Sequence, residues 1–453
     1  MRWVSSRGGS PAVPFIDALF AGTAPDGGLY MPERLVPLSP QQLDAIRAAN
    51  GDIVEIGTIV GSHLLRDEIS QSEMRALVRD ALDFPIPLVQ VTDTIWALEL
   101  FHGPTMAFKD VGARTQARLL HHFTDGTPLT ILVATSGDTG SAVAQAFHGV
   151  PDTRVVVLYP EGKVSDVQEA QMASLGDNIV AVAVHGTFDD CQRLVKQAFA
   201  DDDLRSHVWL TPANSINLGR LLPQVFYYFV LAGPWPASAS ARSASADKKA
   251  GPYDVRESGG PVVAVPSGNF GNLTAGLIAK RIGLPVDRFV AATNVNDVVP
   301  EYLRTGEYKP RASVRTVANA MDVGAPSNFE RMRAMYGDSF DSLRCDIVGA
   351  AFDDATVVAE IGAVYRRDGY LLDPHGAIAW LGLRQTLSPG ERGVFLATAH
   401  PAKFREVVEP AIGVAIPLPP ALAEALTRPR HSEKLPVDYE TLKRLLMQVS
   451  GRS

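Results

Sequence analysis

PLTILVATSGDTGSAVAQAFHG, residues 128–149, compresses a strand, a turn and a helix into 22 positions. PLTILVA is a short apolar, β-branched run. TSGDTG is all small and polar, and SAVAQAFHG has helical spacing and ends on glycine. The same beat follows downstream. RVVVLY (154–159) precedes a helix opening at Ser165, with Ser165 and Gln168 spaced as a capping box and Gly176 as its stop. NIVAVAV (178–184) precedes the helical TFDDCQRLVKQAFA (187–200). Strands recurring about every 25 residues with helices between them mean βαβ units and a parallel sheet. HVWLTPAN (207–214), PVVAVPSGN (261–269), FVAATN (289–294) and GVFLATAH (393–400) repeat the strand-then-polar-loop pattern.

The bulk properties narrow the class. The chain has 453 residues, 46% hydrophobic and 20% charged, which suits a globular protein of two or three domains. Its net charge of −8, with no long block of like charge, argues against nucleic-acid or anionic-membrane binding. Cys191 and Cys345 lie far apart and form no CxxC, so neither a disulfide framework nor a cysteine-rich zinc site is expected. MRWVSSRGGS carries no apolar segment behind its basic residues, and the longest apolar run, VFYYFVLAG (225–233), is too short to span a bilayer. A cytoplasmic enzyme, monomer or homodimer, is the expectation. Residues 1–92 read as a mostly helical N-terminal subdomain. Residues 93–127 with 226–453 read as a large α/β domain, and 128–225 as a small one. Residues 233–260, rich in Ser, Ala, Gly and Pro, read as a surface insertion.

In open α/β sheets ligands bind beyond the carboxyl ends of the strands, so the polar loops are candidates for one site. TSGDTG offers free N–H groups at a helix start to an anion, although it also reads as an ordinary βα turn. PSGNFGN (266–272) resembles a phosphate cradle without the GK[ST] of a nucleotide loop or the GxGxxG of a dinucleotide fold. ANSINLGR (213–220) is dense in donors, and Arg220 has the planar fork that suits a phosphate monoester; a helix cap followed by a surface arginine is its plainer reading. In LATAHPAKF (396–404), His400 reads as a buried, hydrogen-bonded imidazole and Lys403 as a surface residue at a helix start. Lys109, in FHGPTMAFKDVGAR (101–114), is unlike an ordinary surface lysine. It sits among Met106, Ala107 and Phe108 at the start of a helix. Apolar neighbours and the helix dipole both disfavour its charge, which leaves the neutral amine a Schiff base requires. A structural ion pair with Asp110 or Glu99 is the alternative.

Six stretches together, LFHGPTMAFKD, LVATSGDTG, VPSGNFGN, ATNVNDVVP, NAMDVGAPSNFER and TAHPAKF, resemble the threonine synthase family, pyridoxal-phosphate enzymes of the tryptophan-synthase-β-like fold (fold type II). FIDALFAGTAPDGGLYMPE resembles the family's N-terminal segment, and the likeness runs from about residue 14 to about residue 412. The resemblance implies that Lys109 binds pyridoxal 5'-phosphate covalently. Gly268, Asn269, Phe270, Gly271 and Asn272 would hold the cofactor phosphate, and Thr398 would face the pyridine nitrogen. It also implies that Ser136 and Thr139, with Asp138 between them, meet the substrate carboxylate. Relatives of the fold usually carry Asn where Asp138 stands. Asn214, Ser215 and Arg220 match positions for a substrate phosphate. The implied reaction converts O-phospho-L-homoserine and water to L-threonine and phosphate. The rival within the fold is a threonine/serine dehydratase, which has no substrate phosphate to bind.

Overall fold

The computed structural model describes residues 1–235 and 260–450, so most of the expected insertion at 233–260 lies outside the described residues. The strands in chain order are β1 (Trp3–Ser5), β2 (Tyr30–Pro32), β3 (Leu88–Gln90), β4 (Ile95–Glu99), β5 (Leu129–Ala134), β6 (Thr153–Pro160) and β7 (Ile179–Val184). They continue with β8 (Leu210–Pro212), β9 (Val262–Pro266), β10 (Arg288–Thr293), β11 (Ile347–Ala351), β12 (Gly393–Ala397) and β13 (Glu433–Leu435).

Two sheets organise the molecule. One has the order β11-β10-β9-β12-β4-β3, the other β13-β7-β6-β5-β8. Every pairing in them is parallel except β3 on β4, an antiparallel edge that pairs Val89 with Ala97. Their strands are buried on both faces. In β5, Ile131 and Val133 join one apolar core and Leu132 another; in β9, Val263 and Val265 separate from Val262 and Ala264 in the same way. This is the period-two division of a strand covered by helices on both sides.

The N-terminal segment carries four helices, Phe15–Ala21, Pro40–Ala48, Ile53–Leu64 and Gln71–Ala81, joined by loops, with the small β1–β2 ribbon beside them. Ser39 and Ser70 each close a capping box, with Gln42 and Glu73 respectively. The capping box read at Ser165 and Gln168 also forms, and its helix spans Asp166–Ala173, before Gly176.

The C-terminus differs from the sequence reading, which left all of 226–453 with the large domain. β13 pairs with β7, and Leu435, Leu442 and Leu446 bury themselves in the core that holds Val182, Cys191 and Leu194. The return covers an apolar face that the small sheet would otherwise expose.

Strand order positions the site. β9, β12 and β4 are parallel neighbours, so the loops after them leave from one edge of the large sheet. β5 and β8 are parallel neighbours in the second sheet, which places TSGDTG and ANSINLGR at a common edge there.

Candidate active site

Lys109 is the first residue of the helix Lys109–Phe123. The loop before it is sewn to the end of β12. Phe108 N–H donates to the Thr398 carbonyl at 2.8 Å, His400 N–H to the Met106 carbonyl at 3.0 Å, and Ala107 bridges Ala399. The lysine loop and Thr398 are therefore held in register with each other. Asp110 fixes the turn from within, accepting from Thr105 N at 2.9 Å and Thr105 Oγ1 at 2.6 Å.

Neither carboxylate considered from sequence pairs with Lys109. Asp110 is taken by Thr105, and Glu99 accepts from the Tyr370 hydroxyl at 2.9 Å and lies 2.8 Å from His102 Nε2. The group that faces Lys109 Nζ is Asp138 of TSGDTG, 3.8 Å away. The Lys109 side chain is only 15% exposed. Burial pushes its pKa down; Asp138 opposes the shift, and Lys403 and Arg220 add to it.

Lys403 corrects the sequence reading. It is fully buried rather than a surface residue, and its Nζ lies 2.7 Å from Asp138 Oδ1 while donating to the Thr105 carbonyl at 2.8 Å. Gln168 Nε2 also donates to Asp138 Oδ1, at 3.1 Å. Burial alone would raise the Asp138 pKa, but the two lysines and these hydrogen bonds outweigh it and hold the carboxyl well below its usual range. Ser136 and Thr139 flank Asp138, half-buried, at the start of the helix Asp138–Phe147. Thr135 Oγ1 takes the Gly137 and Gly140 N–H groups at 2.9 and 2.8 Å, fixing the turn that presents them. His400 is half-buried, its pKa lowered chiefly by burial, and its Nδ1 accepts from Ala402 N.

The GNFGN loop leads into the helix Gly271–Arg281, which begins without a side-chain cap, with Phe270 at φ 60° in the left-handed region. Gly268 has no room for a side chain: a Cβ there would stand 2.6 Å from the Ala320 carbonyl oxygen of the NAMDVG turn. Asn272, in the first helical turn, accepts at Oδ1 from the Tyr227 and Tyr228 hydroxyls, each at 2.7 Å, and its buried Nδ2 has no partner. An uncapped helix start beside an unmatched buried amide donor fits an anionic phosphate. Thr398 is buried, and its side chain is a neutral hydroxyl on the segment tied to Lys109. These residues fit pyridoxal phosphate.

The third loop joins the second. Asn269 Nδ2 donates to Ser215 Oγ at 2.6 Å, and Asn214 Oδ1 accepts from Ile216 N at 3.3 Å. Arg220, the residue most open to a surface reading, is buried. Its Nη1 donates to the Ala213 carbonyl at 2.6 Å, while its Nε is buried without a partner. With no carboxylate in hydrogen-bond contact, burial pulls its pKa down to about 10, against a weak pull from Asp110. Gly112 of the lysine helix packs against it, so that a Cβ there would meet the Arg220 carbonyl oxygen at 2.7 Å and Nε at 3.3 Å. Gly112→Ala is expected to cost about 1–3 kcal/mol through overpacking against Arg220. A melting temperature equal to that of the unaltered protein would show slack that the packing does not contain.

Residues 2–446 match known families. A model for pyridoxal-phosphate-dependent enzymes matches residues 82–399, and models of the threonine synthase N terminus and C-terminal part match residues 2–82 and 376–446. The chain is 43% identical to the threonine synthase of Escherichia coli (strain K12) over 447 residues, covering 99% of both chains. The chain belongs to the threonine synthase family. A crystal structure of the E. coli threonine synthase superposes with a TM-score of 0.88 at 42% identity, covering 99% of this chain and 100% of that one. A pyridoxal-phosphate-bound threonine synthase from Brucella melitensis also superposes at 0.88, with 35% identity and full coverage of both. The family and its fold are those the sequence motifs implied. This threonine synthase family member is a pyridoxal-phosphate-dependent enzyme of fold type II. Among the described residues no helix is long and apolar enough to cross a membrane, and no cluster of His, Cys, Asp or Glu could hold a metal.

Proposed function

We propose that this threonine synthase family chain makes L-threonine and phosphate from O-phospho-L-homoserine and water in the cytoplasm, with Lys109 as the covalent anchor of pyridoxal 5'-phosphate. One observation carries the choice of a phosphorylated substrate: a buried arginine with no carboxylate in hydrogen-bond contact and an unmatched Nε stands against the lysine helix. A dehydratase acting on a free hydroxy amino acid has no use for that fork.

When bound, the cofactor supplies an aldehyde that condenses with amines and a conjugated ring that takes up electron density from the substrate Cα. The chain supplies the rest. Gly268, Asn269, Phe270, Gly271 and Asn272 would hold the cofactor phosphate, and Thr398 would offer the pyridine nitrogen a neutral hydroxyl. A neutral partner there would disfavour protonation of that nitrogen and so discourage transamination. Ser136 and Thr139, with the helix start at Asp138, receive the substrate carboxylate. Lys109, as the free amine, would take the proton from Cα and a second from Cβ as phosphate leaves, and would return one at Cγ and one at Cα, a shuttle that needs an amine titrating near neutrality. Arg220, with Asn214 and Ser215, stabilises the phosphate as it leaves Cγ.

Water has to add late, at Cβ. Residues 128–225 as a small domain, joined by the returning 433–450, carry TSGDTG, whereas the Lys109 loop belongs to the large domain. Closing the small domain over the substrate keeps water out until elimination is complete.

The test is a product assay. Purified protein given O-phospho-L-homoserine should release phosphate and threonine in equal amounts and show a visible absorption band. Production of a 2-oxo acid and ammonia from threonine, with no turnover of the phosphate ester, would establish the dehydratase instead.

A further inference from the structure

Two lysines face one carboxylate in the buried centre of this site. Asp138 Oδ1 lies 2.7 Å from Lys403 Nζ, and Asp138 Oδ2 lies 3.8 Å from Lys109 Nζ. The two contacts are unequal. Lys403, with a side chain that is 0% exposed, makes a direct ion pair and a second hydrogen bond to the Thr105 carbonyl. Lys109 has neither. One carboxylate can neutralise one ammonium, and at this burial an unmatched second ammonium is strongly disfavoured.

We propose that Lys403 is a positioning residue for Lys109: it occupies the Asp138 carboxylate and so leaves Lys109 the uncharged amine that takes up the cofactor. The charged groups around Lys109 are Asp138 and Lys403, Arg220 from the helix Leu218–Leu221, and Asp110 on its own helix. Asp110 is already held by Thr105, and Arg220 acts in the same direction as Lys403. Lys403 is therefore the group whose removal exposes Lys109 to an unpaired carboxylate. The sign follows directly. Without Lys403, the Asp138 charge stabilises the Lys109 ammonium, and a higher pH is needed to free the amine.

The step read out is the attack itself. A bond forms between Lys109 Nζ and the aldehyde carbon, the carbonyl oxygen departs as water, and no electrons are transferred to or from an outside reagent. Full-length protein stripped of cofactor is mixed with pyridoxal phosphate, and growth of the visible band is followed across pH. Lys403→Met is expected to move the half-maximal pH of the rate upward by at least about one unit, which is tenfold in rate at neutral pH. Lys403→Arg should keep the original profile. Asp138→Asn placed in the Lys403→Met background should bring the midpoint back down, which a purely structural loss would not do. An unshifted midpoint in Lys403→Met, or a uniform loss of rate that the second substitution leaves uncorrected, overturns the proposal.

The inference rests on Lys109 as the cofactor-bearing amine, and the two can fail separately. A visible band that persists in Lys109→Ala removes the anchor itself. An unshifted profile with Lys109 intact removes only the role of Lys403.

Discussion

Lys109→Ala is expected to abolish the visible absorption band and to lower turnover of O-phospho-L-homoserine by at least about 10⁴-fold, the upper end of what a positioned acid–base group contributes. The loss has two parts, because one amine does two jobs in the proposed reaction. It anchors the cofactor through a covalent bond, and it carries protons at Cα and Cγ. Adding a primary amine such as methylamine should restore part of the band, since a free amine condenses with the same aldehyde, while restoring little turnover, since it is not positioned over the substrate. Stability should change little or rise. The substitution removes a buried group whose charge is disfavoured and leaves Asp138 with its direct partner Lys403. A variant that keeps its band and at least a tenth of its activity would move the anchor to another residue, and Lys403 is the amine nearest to hand.

Much of this site was legible in the sequence because its chemistry sits in loops that punctuate a regular beat. β5, β6, β7, β9, β10 and β12 announce themselves as β-branched runs ahead of small polar residues, and parallel strands covered on both faces must look like that. β11 and β13 do not. β11 is IVGAA, whose Gly349 packs so closely on Pro300 that a Cβ would stand 2.7 Å from its Cα. β13 is three residues, EKL, of which Leu435 alone is buried. Each is specified by the neighbour it meets rather than by its own pattern. The candidate loops stand out by local composition for the same reason as the strands, the role of each residue in them is what the family resemblance implies, and their convergence comes from sheet order, which no local window contains.

Lys403 and Lys109 share a local signal. Lys109 drew notice because Ala107 and Phe108 precede it. Lys403 lies between Ala402 and Phe404, the same kind of surroundings, with Pro401 opening its short helix. The signal is the same, but a lysine at a helix start reads most simply as a surface residue. Tyr227 and Tyr228 illustrate the opposite failure. Within VFYYFVLAG they count as apolar bulk, yet their hydroxyls converge on the Asn272 amide. Burial fixes the rings, and only the fold shows what the hydroxyls touch.

Arg220→Ala should separate binding from chemistry. If the guanidinium makes two charge-assisted hydrogen bonds to the substrate phosphate, each worth about 1.5–3 kcal/mol, the KM for O-phospho-L-homoserine should rise by roughly 10²–10⁴-fold. Inhibition by inorganic phosphate should weaken in parallel, because product and substrate share the group that Arg220 meets. Arg220→Lys should recover only part of the loss, since an ammonium restores the charge without the planar fork. The cofactor band should remain in both variants, because Asn272 and the uncapped start of the helix Gly271–Arg281, not Arg220, are the groups fitted to the cofactor phosphate. A collapse of the fold would confuse the reading, so the melting temperature has to be followed as well; the bond at stake is the one from Nη1 to the Ala213 carbonyl. A stable variant with unaltered KM and unaltered phosphate inhibition would strip Arg220 of its role, and with it the argument that this site was built for a phosphate ester rather than a free hydroxyl.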